Sequence, residues 1–166
     1  MYSISQIKIK SICTDEWAQR VQIYWYYLCR RHCTVLFGEG SGSIRLIRKK
    51  DPETGLQRLA LLFTEPLELP KERNYLWHEM GHLLGERSKD PVLNEFYADK
   101  YAMDTALSRG CHKVAEEIVL RCVDTIESDK SVDVYKEAAK LVLHNYQQYC
   151  WDVVNSFKKE TSWSSL

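Results

Sequence analysis

The chain has 166 residues, which suits one compact domain, and 45% of them are apolar, which is enough to bury a core. Lysine plus arginine (23) equal aspartate plus glutamate (23), so no net charge favours nucleic acid or an anionic membrane surface as a partner. No apolar run approaches the length of a membrane-spanning helix, and residues 1–10 lack the apolar stretch of a signal peptide. These properties predict a soluble, cytoplasmic protein with a single domain over residues 1–166, a core at about 14–158 and a frayed tail at 161–166.

The cysteines do not form a metal-binding or redox motif. There are six, and no two have the Cys-x-x-Cys spacing of a zinc ribbon or a thioredoxin-like site. We expect reduced thiols that behave as small apolar side chains. The six are Cys13, Cys29, Cys33, Cys111, Cys122 and Cys150.

The first structural element is an amphipathic helix. Apolar residues recur at spacings of three and four between Trp17 and Leu28, so they lie along one face of a helix from about Thr14 to Arg31. Such stripes usually face a protein's own interior, so this helix is expected to contribute to the core.

Three short apolar-rich runs follow the helix and predict strands. They cover residues 33–37, 43–48 and 57–63. The linkers between them are short and contain glycine, which favours antiparallel hairpins over crossover connections. The basic run from Arg45 to Lys50 is expected to be a solvated strand that discourages edge-to-edge association.

Beyond residue 63 the apolar spacing changes to that of helices. Pro70 needs no N–H in a first turn, so it predicts the start of a helix that runs to about Glu86. Asp90 before Pro91 predicts an N-cap and a first-turn proline, and Gly110 predicts where this second helix ends.

Two further apolar stripes complete the helical part of the chain. They run from Ala115 to Ile126 and, over a longer stretch, from Tyr135 to Phe157. The order of elements predicts an α+β fold. In it, a small, mostly antiparallel three-stranded sheet is accompanied by an N-terminal helix and several C-terminal helices.

Residues 78–82, inside the helix predicted to begin at Pro70, read His-Glu-Met-Gly-His. Positions four apart lie on one face of a helix, so His78 and His82 can each place an imidazole nitrogen on one metal ion. Glu79 cannot ligate on that face, but its longer side chain can reach a water in the metal's open position and act as a general base. The spacing predicts one Zn²⁺ per chain.

A zinc site that holds a reactive water needs a third protein ligand. Glu95 lies thirteen residues after His82, which leaves room for a chain reversal and an antiparallel helix that presents it to the metal. Asp99, one turn further, could accept a hydrogen bond from a ligating imidazole and fix its tautomer. Ala98 and Ala102 are small enough to let the two helices approach closely. The alternatives for the third ligand are Glu86, Asp90, Asp99 and His112.

The two motifs together resemble the ImmA/IrrE family of zinc metallopeptidases, over about residues 33–107. They read His78-Glu79-Met80-Gly81-His82-Leu83-Leu84 and Glu95-x-x-Ala98-Asp99-x-Tyr101-Ala102. The wider gluzincin group uses the same kind of second motif. The resemblance implies a zincin-like active-site helix that follows a small sheet. It also implies His78, His82 and Glu95 as metal ligands, Glu79 as the catalytic base, and Asp99 as the hydrogen-bond partner of a ligating histidine.

These features predict a zinc-dependent metalloendopeptidase that cleaves a limited set of protein substrates. The resemblance suggests a transcriptional regulator among them, whereas nucleic acid and membrane are not expected as partners. Peptide hydrolysis also needs a donor that stabilises the oxyanion. The sequence does not choose between the candidate donors Tyr97, Tyr101, Arg109 and His112.

Two other functions remain open. In the first, the same zinc ligands support a non-catalytic regulatory protein that binds a repressor or another partner without cleaving it. In the second, the chain is a metal-free helical interaction module whose His-Glu-x-x-His match is accidental. Replacement of Glu79 separates the first from a peptidase, and metal analysis separates the second from both.

Overall fold

The computed structural model describes residues 9–12, 15–39 and 44–163. The chain divides into two compact units between Glu68 and Leu69. The single domain over residues 1–166 stays a prediction. Among the described residues, no helix is both long enough and apolar enough to cross a bilayer. The five cysteines within these ranges are free thiols, and Cys13 lies outside them.

The described residues of the first unit form one helix and four strands. In chain order they are β1 (Ile9–Ile12), α1 (Glu16–Cys29), β2 (Cys33–Gly38), β3 (Ile44–Lys50) and β4 (Gln57–Phe63). The N-terminal helix and the three predicted strands are present. β1 is additional, because no strand is predicted before the N-terminal helix.

Local capping sets both ends of α1. Asp15 Oδ1 accepts a hydrogen bond from the Ala18 N–H at 2.8 Å, which satisfies one of the free amides of the first turn. At the other end Arg30 adopts a left-handed conformation with φ of 56°, and its N–H bonds to the Tyr26 carbonyl at 2.8 Å. The helix is therefore slightly shorter than the predicted Thr14–Arg31, and Thr14 itself lies outside the described residues.

The sheet is mixed, with the strand order β1-β2-β4-β3. β2 pairs with β4 in parallel, while β1–β2 and β3–β4 are antiparallel. The predicted hairpin between β2 and β3 is therefore wrong, because β4 lies between them. β4 carries an almost continuous buried run from Leu59 to Phe63, as a central strand requires, whereas the basic strand β3 takes the edge.

The apolar stripe of α1 is a core surface, as predicted. Val21 and Trp25 are fully buried. Trp17 stacks on Phe37 of β2 with ring centroids 5.8 Å apart, and it meets Phe63 of β4 edge-on at 4.8 Å. The helix is thereby held against the two central strands.

The described residues of the second unit are helical. They form α2 (Leu69–Leu84), α3 (Pro91–Ser108), α4 (His112–Glu127), α5 (Asp133–Asn145) and α6 (Gln147–Trp163). The first three agree with the predicted helices within a few residues. α6 includes residues 161–163, the first half of the tail predicted to fray, and residues 164–166 lie outside the described ranges.

The long apolar stripe predicted from Tyr135 to Phe157 is divided between two helices. The break falls at Tyr146, whose φ of −114° departs from helical geometry. The Tyr146 hydroxyl donates to the Lys100 carbonyl at 3.3 Å and also bonds to the Asp104 carboxylate, both on α3. These are hydrogen bonds between residues distant in sequence, and the spacing of apolar residues does not indicate them. The sequence therefore did not reveal the break between the two helices.

The ends of α3 follow the predicted caps. Asp90 Oδ1 accepts from the Val92 N–H at 2.9 Å. After the last turn Gly110 has φ of +67°, its N–H bonds to the Leu107 carbonyl at 3.1 Å, and the Cys111 N–H bonds to the Ala106 carbonyl at 2.8 Å. This is the Schellman arrangement, which terminates a helix at a left-handed residue.

We expect Gly110→Ala to lower the free energy of unfolding by about 1 kcal/mol, because a side chain makes the left-handed conformation unfavourable. A Cβ at this position meets no atom within 4 Å, so the loss comes from the backbone alone. Urea denaturation measures it. Gly110→Asn should lose less, since asparagine tolerates this conformation. Equal or greater stability of Gly110→Ala would show that the cap does not limit the stability of the unit.

Candidate metal centre

The two histidines of the motif lie one turn apart on α2 and face the same side. Their ring centroids are 4.8 Å apart and the ring planes are nearly perpendicular, at 89°. The His78 side chain is 13% exposed and that of His82 is 16% exposed. Both imidazoles are therefore largely shielded and still reachable by a small ion.

Glu95 on α3 closes the cluster. Its Oε2 lies 3.3 Å from His78 Nε2 and 3.6 Å from His82 Nε2. Ligands bound to zinc at 2.0–2.2 Å with tetrahedral angles lie about 3.4 Å from one another. The two oxygen–nitrogen distances therefore match a tetrahedral site, and all three ligand atoms lie within 4.8 Å of one another.

A close approach of α2 and α3 brings these ligands together. Ala98 and Ala102 are fully buried, as the expected helix packing requires. Gly81 is decisive, because a Cβ built on it would lie 2.6 Å from both the Cα and the carbonyl oxygen of Ala98. The backbone of α3 therefore occupies the space that any larger residue at position 81 would need.

Asp99 holds the first histidine. Its Oδ1 lies 2.5 Å from His78 Nδ1, and its side chain is only 5% exposed. An Nδ1–H that donates to this carboxylate leaves Nε2 as the free lone pair, and Nε2 is the atom that faces Glu95. Asp99 therefore occupies the position predicted for the partner of a ligating imidazole, and it is not itself a third ligand.

Asn94 stands in the corresponding place for the second histidine. Its side-chain Nδ2 lies 3.3 Å from His82 Nδ1, a contact in which the amide donates to the ring. The amide oxygen is the atom that can accept a proton from Nδ1 and leave Nε2 free, so metal binding favours the amide orientation that presents Oδ1 to the ring. Sequence reasoning missed this residue, although it directly precedes Glu95.

Arg121 on α4 is a second residue that sequence reasoning missed. Its Nη2 donates to Asp99 Oδ1 at 2.5 Å and lies 3.3 Å from Asn74 Oδ1. The available signal was its position one residue before buried Cys122 and three after buried Ile118, which places a charge beside the apolar face of α4. A largely buried arginine needs an acid partner, but the sequence did not show which one.

The carboxylates give the cluster a strong preference for positive charge. Burial lowers the pKa of His78, but Asp99, Glu95 and Glu79 outweigh it and raise this pKa from 6.5 to about 10. Burial raises the pKa of Glu95, but the two imidazoles outweigh it and lower that pKa from 4.5 to about 2. A bound cation would meet the same electrostatic demand.

The other predicted candidates have other surroundings. Asp90 caps α3, and His112 is an exposed residue at the start of α4. Tyr97 and Tyr101 follow Glu95 by two and six residues, which places them about 200° and 240° around the helix from it. They line an open groove of about 570 Å³. The other groove residues are Leu84, Gly85, Glu86, Lys100, Asp104, Thr105 and Ser108.

Tyr97 and Tyr101 therefore face away from the side of α3 that carries Glu95 and Asp99. Arg109 is the C-cap residue of α3 and is exposed. The arrangement thus gives no support to an oxyanion-stabilising role for the two tyrosines, His112 or Arg109. That role stays a prediction without an assigned residue.

Comparison of the chain with protein-family models, with curated proteins and with solved structures finds no match. The resemblance to the ImmA/IrrE family therefore remains a prediction from the two motifs. The candidate metal site is supported by the side-chain geometry of this chain alone.

We expect Gly81→Ala to disrupt the cluster. In an unobstructed helix this change stabilises by up to about 1 kcal/mol. Here the added methyl group meets the backbone of α3, so we expect a loss of about 1–3 kcal/mol in the free energy of unfolding. Zinc affinity should fall with it, because Glu95 moves with α3. Chemical denaturation and zinc titration measure the two effects.

Lys71→Ala is the matched control, because Lys71 is an exposed residue of the same helix. Its stability should stay within about 0.5 kcal/mol of the parent and its zinc affinity should not change. A stabilised Gly81→Ala variant with full zinc affinity would contradict the close approach.

Proposed function

We propose that this chain is a zinc-dependent metallopeptidase whose active-site helix, α2, is of the zincin type. The observation that carries the proposal is the position of Glu95 Oε2, 3.3 and 3.6 Å from the two Nε2 atoms of His78 and His82. Two imidazoles from one helix and a carboxylate from another thereby offer three ligand atoms to a single small cation.

The donor set favours zinc among the common metals. Two imidazoles and one carboxylate suit Zn²⁺, whereas Mg²⁺ and Ca²⁺ prefer oxygen ligands alone. Three protein ligands leave one tetrahedral position open, which distinguishes a catalytic site from a structural one with four. When bound, zinc would supply a Lewis acid that polarises a carbonyl and acidifies a water.

Glu79 is the residue of this chain that would move the proton. It directly follows the first histidine, and its carboxylate is near enough to raise the pKa of His78. A carboxylate beside the open position takes a proton from the attacking water and delivers it to the leaving amine, which allows the peptide bond to break. Asp99 and Asn94 would hold the imidazoles so that each presents Nε2 to the site.

The proposed substrates are a limited set of proteins, and a transcriptional regulator is one candidate class. Unfolded casein tests the restriction, because an unselective peptidase degrades it readily. Rapid cleavage of casein at many sites would contradict a restricted substrate range.

Glu79→Gln tests whether the site cleaves. The change keeps the size of the side chain and removes the base, so we expect zinc binding to persist and peptide hydrolysis to fall by about 10²-fold or more. The assay compares zinc-loaded parent and variant on candidate regulators, with cleavage followed by mass spectrometry. Zinc content is measured on the same samples.

His78→Ala is the control for metal dependence, and it should lose both zinc and activity. A Glu79→Gln variant with zinc and full biological activity would favour the non-catalytic regulator that holds its partner without cleaving it. A parent protein without zinc would leave the metal-free interaction module as the better description.

A further inference from the structure

Arg121 connects three helices next to the metal centre. Its side chain, on α4, contacts Asp99 of α3 and Asn74 of α2. The guanidinium carbon also lies 5.7 Å from the centre of the Tyr75 ring, which adds a cation–π contact to α2. The Arg121 side chain is 23% exposed.

One carboxylate oxygen accepts hydrogen bonds from both the arginine and the histidine. Asp99 Oδ1 lies 2.5 Å from Arg121 Nη2 and 2.5 Å from His78 Nδ1. An acceptor held from two sides cannot rotate away from either donor. Arg121 therefore fixes the direction from which Asp99 meets the imidazole.

The nitrogens of the Arg121 guanidinium differ in their hydrogen bonding. The Nε atom is buried and has no hydrogen-bond partner among the described residues. An unsatisfied buried donor lowers stability. In the part of the chain that the structure describes, the hydrogen bonds of the guanidinium are those that Nη2 makes with Asp99 and Asn74.

We propose that Arg121 is a positioning residue for the zinc site, and that it acts on His78 through Asp99. This inference rests on the proposed zinc-binding function. Coulomb's law alone gives the opposite expectation, because a cation beside the site repels Zn²⁺ and its removal would tighten binding. The sign of the change in zinc affinity therefore separates orientation from simple charge.

Arg121→Met tests the sign. The variant keeps an unbranched, apolar stem and removes the guanidinium, so we expect zinc affinity to fall by about tenfold or more, as is typical when the partner of a ligating group is lost. Affinity is measured by competition with a chromophoric zinc chelator. The visible absorption of the Co²⁺-substituted protein gives an independent signature, and its bands should shift or weaken as His78 loses its fixed orientation.

Arg121→Lys provides the second variant if Arg121→Met does not fold. Lysine keeps the charge and loses the planar fork, so we expect an intermediate zinc affinity and a Co²⁺ spectrum between those of the parent and Arg121→Met. Lys140→Met is the control, because it breaks the exposed Lys140–Glu137 pair, and it should change neither reading.

Unchanged or tighter zinc binding in Arg121→Met, with an unchanged Co²⁺ spectrum, would overturn the proposal and leave Arg121 as a packing residue. If Arg121→Met does not fold, parent-like affinity and spectrum in Arg121→Lys would overturn it equally. A parent protein that binds no zinc would instead refute the proposed function, so the two failures are distinguishable.

Discussion

The candidate metal centre depends on the contact between the backbones of α2 and α3. Gly81 lies where α3 passes closest, and the Ala98 backbone fills the space of its missing side chain. Two helices at this distance can share ligands across their interface, because a glutamate side chain then reaches the imidazoles of the facing helix. Glu95, Asp99 and Asn94 all meet the histidines of α2 across this one contact.

Charge balance imposes the second constraint. Asp99 is almost completely buried. Asp99, Glu95 and Glu79 all act on the charge of the same imidazole, that of His78. Buried carboxylates need positive partners, because the loss of hydration is otherwise too costly. Arg121 supplies one such charge to Asp99, and the imidazoles of His78 and His82 both face Glu95. A divalent cation among the three ligand atoms would complete this balance.

The sequence predicted the parts of the site that lie within one helix or directly follow a cap. His78, Glu79 and His82 share one turn, and their relation follows from helix geometry alone. The prediction of Glu95 and Asp99 as site residues depended on a chain reversal after His82. Asp90 and Pro91 indicated it, because they predict the start of the next helix. The sequence did not predict the contact between Arg121 and Asn74, because these residues are 47 positions apart and no local pattern specifies their pairing.

The fold shows the same limit. The helices and the three predicted strands were recognisable from periodicity and turn residues, because these are local properties. The parallel pairing of β2 with β4 was not, since the length of the linker between β2 and β3 does not say which strand will lie between them. Tyr146 likewise lies at the end of α5, where its hydroxyl bonds to α3. The apolar periodicity of the sequence continues across this residue, so it does not reveal the end of the helix.

X-ray absorption at the zinc edge of the purified, zinc-loaded protein tests the central claim most directly. The ligand set of His78, His82 and Glu95 predicts a first shell of nitrogen and oxygen at about 2.0–2.2 Å, with the outer scattering of two imidazole rings. A first shell that contains sulfur at about 2.3 Å would assign the metal to the cysteines. That result, or the absence of bound zinc, would contradict the account.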